Sequence, residues 1–425
     1  MTNRVVVIVD PYSSGVLYAP ALRRAGFSPV AVRSAPFPAT QFTSTFRPDD
    51  FDRCLLGDTG LDSLVRQLAP LGVAAVVPGS ESGVTLADRL TARLTPATAN
   101  LPSLAHCRNH KGHMTAAVAA AGLPVTPTVC VHEPDQATDF VERGDVAGHD
   151  LVIKPATSVS TDGVTLAPAS RGWRPAVRKL LGRTNATGVR NEEVVLQRRL
   201  TGTEYVVNTF TAEGRHLVSD VCRYTKVTNG DSFAVYQDVE FLPMDAPHVP
   251  DLIAYVRRAL DALGFRFGAA HTEVMLTAEG PRLIEVNSRI AGSGMAAAAE
   301  LATGDNAVRR LVRHLLGERD QPDGFTLRRT VKVAMFIAER SGVVTNVEAY
   351  QSILALPTCR GLHLNVSNGD RIQATSDLLS SLRLGWALLA DRDPARVARD
   401  YASLRSYAKG MRIAPAAVGH ERRAA

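Results

Sequence analysis

Cysteine is scarce and scattered. Cys54, Cys107, Cys130, Cys222 and Cys359 are the five in 425 residues, and no two stand close in sequence. That spacing argues against a zinc site or a disulfide framework, and for a reducing cytosol. No apolar run is long enough to span a bilayer, and the N-terminus lacks a signal-peptide arrangement, so a cytoplasmic protein is expected. A basic stripe is missing too. The net charge is +6, but arginine pairs such as Arg23-Arg24, Arg257-Arg258 and Arg328-Arg329 are spread along the chain. Solvated surface arginine accounts for them better than nucleic acid does, although some positive charge could serve anionic substrates. There is no Gly-Lys-Ser/Thr phosphate loop, no evident nucleophile triad, no internal repeat and no low-complexity tract. What remains is 45% hydrophobic and 21% charged, the balance of a globular protein with two or three domains.

Against these absences stands the segment from Leu283 to Gly294. Its apolar strand pattern carries Glu285, Asn287 and Arg289 at every second position, which predicts that they share one face. An acid and an amide offer oxygen ligands to a hard cation, and a guanidinium suits phosphate oxygens. The glycines that follow allow close backbone approach to a ligand. Just upstream, His271 to Leu276 reads as a second strand, with Ala278-Glu279-Gly280 as the turn between them. That hairpin brings Glu273 opposite Glu285, and two adjacent carboxylates repel unless positive charge lies between them. Solvated acids on an exposed sheet are the plain alternative; the apolar neighbours and the in-register Asn and Arg favour a metal site. Farther upstream, Lys154 stands in the apolar strand Leu151–Pro155. A core-facing lysine there calls for an anionic partner.

In this order the pieces resemble the ATP-grasp superfamily, and its carboxylate–amine ligases in particular. The order is Asn109-His110-Lys111 opening a helix, the Lys154 strand, the polar loop from Thr157 to Val164, the segment Val195–Tyr205, and the acidic hairpin. The resemblance covers residues 100–300 tightly and the flanks loosely. It implies that Lys111 and Lys154 contact ATP phosphates and that the loop holding Ser158, Ser160 and Gly163 closes over them. Gln197 to Leu200 would meet adenine, with glutamine where the family often has a carboxylate, and Glu204 would take the ribose. Glu273, Glu285 and Asn287 would hold one or two Mg²⁺ ions, with Mn²⁺ as a possible substitute. Arg289 and His271 would act at the transferred phosphoryl group, though a structural histidine is the commoner case. Gly292 to Gly294, Ser293 included, would offer N–H groups to an oxyanion.

The implied fold is mixed α/β and α+β: an N-terminal parallel, Rossmann-like domain (1–100), an ATP-grasp domain (101–320) with a lid at about 129–199, a C-terminal α+β domain (321–412) and an unordered tail (413–425). Strand–helix alternation from Arg4 to Leu94 independently predicts a parallel sheet. Ligands of such sheets lie beyond the strand carboxyl ends, which places Ser80 and Glu81 near one. Glu81 could equally be an acid complementing a helix N-terminus. Val331 to Ile337 and Leu382 to Leu389 read as strands, and Pro394 to Ala408 as a helix. The expected activity is ADP-forming amide synthesis through an acyl phosphate, of the kind carried out by amino-acid ligases in small-molecule biosynthesis. The partners would be a small carboxylate and an amine, with a homodimer possible. A bicarbonate-activating carboxylase or purine-pathway enzyme is the alternative, and a non-catalytic nucleotide-binding protein the third. The substrates themselves are not legible.

Overall fold

Val5–Val9 (β1) consists of β-branched residues buried on both faces, as a central parallel strand requires. It is followed by α1 (Tyr18–Arg24), β2 (Ser28–Arg33), β3 (Arg53–Leu56), α2 (Leu61–Leu68), β4 (Val73–Pro78) and α3 (Val84–Leu94). The strands form a parallel sheet in the order β3-β2-β1-β4. Alternate residues go to opposite cores. Val6, Ile8 and Val77 pack with Tyr18 and Leu22, while Val5, Val7 and Val9 pack with Leu64, Leu68 and Leu90.

Next come α4 (Lys111–Ala120), β5 (Thr128–Val131), α5 (Thr138–Glu142), β6 (Leu151–Pro155), β7 (Thr165–Ala167), α6 (Trp173–Leu180) and β8 (Val194–Arg198). These four strands make an antiparallel sheet, β5-β8-β6-β7, over a core of Leu151, Ile153, Trp173, Val177 and Leu196. The chain continues through β9 (Thr203–Ala212), β10 (Arg215–Asn229), β11 (Ser232–Leu242), α7 (Val249–Ala262), β12 (Gly268–Thr277), β13 (Gly280–Asn287), α8 (Met295–Thr303) and α9 (Ala307–Leu315). α7 buries Leu252, Val256 and Leu260 against Val207, Val274 and Val286 beneath the sheet β13-β12-β9-β10.

The last part comprises β14 (Thr330–Met335), β15 (Gly342–Val344), β16 (Cys359–Leu364), β17 (Arg371–Ile372), α10 (Leu378–Leu384), β18 (Gly385–Asp391), α11 (Pro394–Lys409) and β19 (Ile413–Ala414). This computed structural model describes residues 4–35, 43–159, 161–409 and 412–414. The chain divides into two units, Met1–Arg223 with Leu242–Leu327, and Tyr224–Phe241 with Arg328–Ala425. The second unit is built on β11-β14-β18-β16, with Phe336, Tyr350, Leu389 and Leu404 in its core.

Two local expectations change. Leu382 to Leu384 are helical: Asp377 caps α10 with a reciprocal capping box, and the strand begins only at Gly385. Gly385 has φ 132, and a Cβ there would lie 2.0 Å from the His363 carbonyl oxygen, so only glycine permits this junction. Ile413 and Ala414, expected in an unordered tail, pair with Val344 and Val343, while residues 415–425 lie outside the described residues. Among the described residues, no helix is long and apolar enough to cross a membrane.

Candidate active site

The β12–β13 hairpin pairs His271 with Asn287 and Glu273 with Glu285, so the two acids lie directly opposite each other. On the other face of the hairpin, Thr272, Val274 and Val286 are buried. The positive charge between the acids comes from lysines. Lys111 Nζ is 3.1 Å from Glu285 Oε2 and also donates to the Ser158 carbonyl at 2.8 Å. Asn287 Nδ2 donates to Glu285 Oε1 at 3.1 Å. Burial alone would raise the Glu285 carboxyl, but Lys111, Lys154 and the Asn287 amide outweigh it and bring the carboxyl down to about 2.

Lys154 is buried on β6. Burial pulls its ammonium down to about 8, against the attraction of Glu285, Glu273 and Glu204 and alongside the repulsion of Lys111. β6 places Lys154 and α4 places Lys111. The Lys111 N–H donates to the Ala156 carbonyl at 2.9 Å, which fixes the start of the helix to the end of that strand. In the following loop, Ser158 Oγ donates to Asp162 at 2.7 Å, and Asp162 also accepts the Ala186 N–H at 2.8 Å. Gly163 adopts φ 70, while Ser160 lies outside the described residues. Gln197 is buried and donates to Thr128 across the β5–β8 pair at 2.9 Å. Leu200 follows β8, and Glu204 is buried on β9 opposite Met275.

Arg289 binds three groups. Nε donates to Glu81 at 3.0 Å, Nη1 to the Ile290 carbonyl at 2.9 Å and Nη2 to Asn287 Oδ1 at 3.3 Å. Both Nη atoms keep a further N–H. Glu81 thus joins the hairpin residues in space. Burial pushes its carboxyl up, opposed first by Arg289 and then by Lys111. The loop carrying it is clamped onto β1. Ser82 donates to the buried Asp10 at 2.6 Å, and Asp10 also accepts from the Ser34 N–H and hydroxyl. A Cβ at Gly83 would fall 2.5 Å from the Val9 carbonyl oxygen. Ser80 contacts Ser82 at 3.1 Å.

Sequence reasoning missed two features. The N–H groups of Ser293 and Gly294, expected to face an oxyanion, donate to Ser13 Oγ at 2.9 Å and Ser14 Oγ at 3.1 Å. His271 lies at the end of a buried chain of polar groups. Ser219 donates to Asp220, Asn208 Nδ2 donates to Asp220 at 2.6 Å, and Asn208 Oδ1 therefore accepts from His271 Nδ1 at 2.8 Å. His271 Nε2 is left 3.4 Å from Glu273 Oε1. Burial raises the Asp220 carboxyl against the pull of Asn208, Ser219 and His271. As donors, Glu273, Glu285 and the Asn287 amide oxygen fit a hard divalent cation, and the lysines fit phosphate.

Residues 147–297 match the ATP-grasp domain family. Dapdiamide A synthase of Enterobacter agglomerans is 28% identical to the chain, across 95% of each protein. In structure, the L-amino acid ligase of Bacillus licheniformis superposes with a TM-score of 0.73 at 17% identity, covering 98% of this chain and 99% of that one. N5-carboxyaminoimidazole ribonucleotide synthetase of Thermus thermophilus gives 0.65 at 16% identity, covering 95% and 98%. The matched segment, which holds Lys154, Glu204, the acidic hairpin and Arg289, is an ATP-grasp domain, and the whole chain shares the fold of these neighbours.

Proposed function

We propose that the chain is an ADP-forming carboxylate–amine ligase that joins the carboxylate of an amino acid, or of a similarly small acid, to an amine by way of an acyl phosphate, in small-molecule biosynthesis. The observation that carries the reading is the opposed pair Glu273 and Glu285 beneath two lysines. The whole-length likeness to dapdiamide A synthase supports the choice of an amide-forming reaction.

Lys111 and Lys154 hold the triphosphate, and the loop with Ser158 and Gly163 covers it and keeps water from the acyl phosphate. Gln197 and the Leu200 backbone receive adenine, and Glu204 receives the ribose. Glu273, Glu285 and Asn287 hold Mg²⁺, which when bound neutralises charge on the phosphates. The remaining N–H groups of Arg289 orient the carboxylate and stabilise charge as the phosphoryl group arrives. Because Ser13 and Ser14 already occupy the Ser293 and Gly294 N–H groups, the oxyanion falls to Arg289. Glu81 sits where an ammonium could pair with it, and its tie to Arg289 links the two substrate ends.

Hydroxylamine is the direct test. With ATP, Mg²⁺ and the right organic carboxylate, a hydroxamate should form and ADP should be released. A screen of carboxylate and amine pairs, read by phosphate release and product mass, then names the substrates. ADP release that depends on bicarbonate, without hydroxamate, would assign the carboxylase reaction instead. Glu285→Ala should lower ADP formation by roughly 10²-fold or more through loss of a metal ligand. Full activity of that variant at ordinary Mg²⁺ would overturn the metal assignment.

A further inference from the structure

A second group of ligand-type side chains lies at the start of α4. His110, Cys130 and Glu193 come from the cap of α4, from β5 and from the residue before β8, and their donor atoms lie within 4.8 Å of one another. Glu193 is the hub. His110 Nε2 is 2.9 Å from its Oε2, Cys130 Sγ is 3.5 Å from its Oε1, and His132 Nε2 is 3.5 Å from the same oxygen. His132 Nδ1 faces the Glu192 carbonyl at 3.2 Å, so this nitrogen carries a proton and Nε2 is the atom left to bind a metal. A metal-ligating histidine is oriented in the same way, by an acceptor for the proton on its other nitrogen. Gly112 makes the approach possible. A Cβ there would lie 3.1 Å from the Cys130 Cβ and 3.3 Å from the His110 ring, so a side chain would push the helix away from the strand.

We propose that His110, Cys130 and Glu193 form a binding site for a borderline transition-metal ion, Zn²⁺ foremost, with the exposed ring of His132 turning in as the fourth ligand, separate from the carboxylate pair Glu273 and Glu285. Two imidazoles, a thiolate and a carboxylate are a four-coordinate zinc donor set, whereas the acidic hairpin offers oxygen ligands suited to Mg²⁺. The scattered cysteines hide such a site in the sequence, because its donors converge from three elements.

Loading requires a defined movement of protons. The Cys130 S–H bond breaks, its proton leaves to solvent and a sulfur–metal bond forms. His110 Nδ1 accepts the His113 N–H in the metal-free chain, so its ring proton sits on Nε2. On metal binding that proton moves to Nδ1 through solvent, and the helix loses this cap. Thiolate and carboxylate together neutralise the divalent charge. The bound ion would join the residue preceding Lys111 to the β5-β8-β6-β7 sheet, in which Lys154 pairs with Val195. Two phosphate-facing lysines would thereby be held at a fixed spacing.

Cobalt titration of the chelator-treated full chain tests this. One Co²⁺ per chain should bind with tetrahedral visible bands and a thiolate-to-cobalt charge-transfer band, all displaced by Zn²⁺. Cys130→Ser should lose the charge-transfer band, and Glu285→Gln should keep it. In the wild-type chain, Zn²⁺ should also protect Cys130 from alkylation, which is read by mass spectrometry and needs no variant to fold. The proposal fails if the wild type shows no charge-transfer band, if the band survives Cys130→Ser, if Glu285→Gln abolishes it, or if Zn²⁺ leaves Cys130 alkylation unchanged. None of these readouts depends on ligase turnover.

Discussion

Lys154 and Glu285 pull stability in opposite directions: the carboxyl held down to about 2 contributes, while the buried ammonium costs. A lysine ordinarily titrates near 10.5, and burial brings Lys154 down to about 8. Keeping it charged at pH 7 costs about 3 kcal/mol relative to the unfolded chain. The sign follows from proton binding. Between about 8 and 10.5 the unfolded chain binds the extra proton, so this cost is fully present below about 8 and is relieved as pH rises through that window. Lys154→Met should therefore abolish ADP formation yet raise the melting temperature at pH 7, since Glu285 keeps Lys111 at 3.1 Å. The advantage should shrink as pH rises from about 8 to about 10. A melting temperature below wild type at pH 7 would contradict the argument. In the wild-type enzyme, the KM for ATP should climb as pH passes about 8 and Lys154 loses its charge. Lys154→Arg should flatten that climb, because guanidinium does not titrate there.

At the scale of elements, the loop between β4 and α3 determines where Glu81 points. Gly83 has no room for a Cβ against the backbone of Val9, and Gly79 has none against Pro11. Gly83→Ala should destabilise the protein by about 1–3 kcal/mol as the loop shifts outward. It should raise the KM for the carboxylate or amine substrate while leaving the KM for ATP near wild type. Steady-state kinetics with each substrate varied in turn would separate the two, and an equal rise for ATP would contradict the assignment of Glu81 to the substrate end. The acidic hairpin was legible in the sequence because its information is local: alternation sets the face and a short turn sets the register. Lys154 was legible as a lone cation in an apolar strand. The partner of Arg289 was not, since Glu81 lies 208 positions away. Nor were the serines that occupy the Ser293 and Gly294 N–H groups, 280 positions away. The Asp220–Asn208–His271 chain depends on three strands lying side by side, and each residue alone reads as an ordinary polar position. Leu382 to Leu384 misled because Leu-Arg-Leu before glycine alternates as a strand end does and suits a last helical turn equally well; the Asp377 cap decides it.

On the scale of the whole molecule, every residue assigned to ATP, metal or substrate lies in the first of the two units. Glu81 comes from the parallel-sheet segment, Lys111 from α4, Lys154 from the β5-β8-β6-β7 sheet, and Glu204, Glu273 and Glu285 from the β9–β12–β13 strands. A ligand held by four separate segments of one unit couples their opening, because opening any of them releases contacts that the others share. A nonhydrolysable ATP analogue with Mg²⁺, at about 100 times its Kd, should stabilise that unit by about 2.7 kcal/mol. Amide hydrogen exchange should then slow in α4, in β6 with the loop to Gly163, and in β12 and β13. Peptides spanning 330–391, which carry no assigned site residue, should exchange at their unliganded rate. Glu285→Ala should reduce the protection while leaving the unliganded pattern intact. Protection centred on 330–391, or none around Lys154, would move the nucleotide site away from the acidic hairpin.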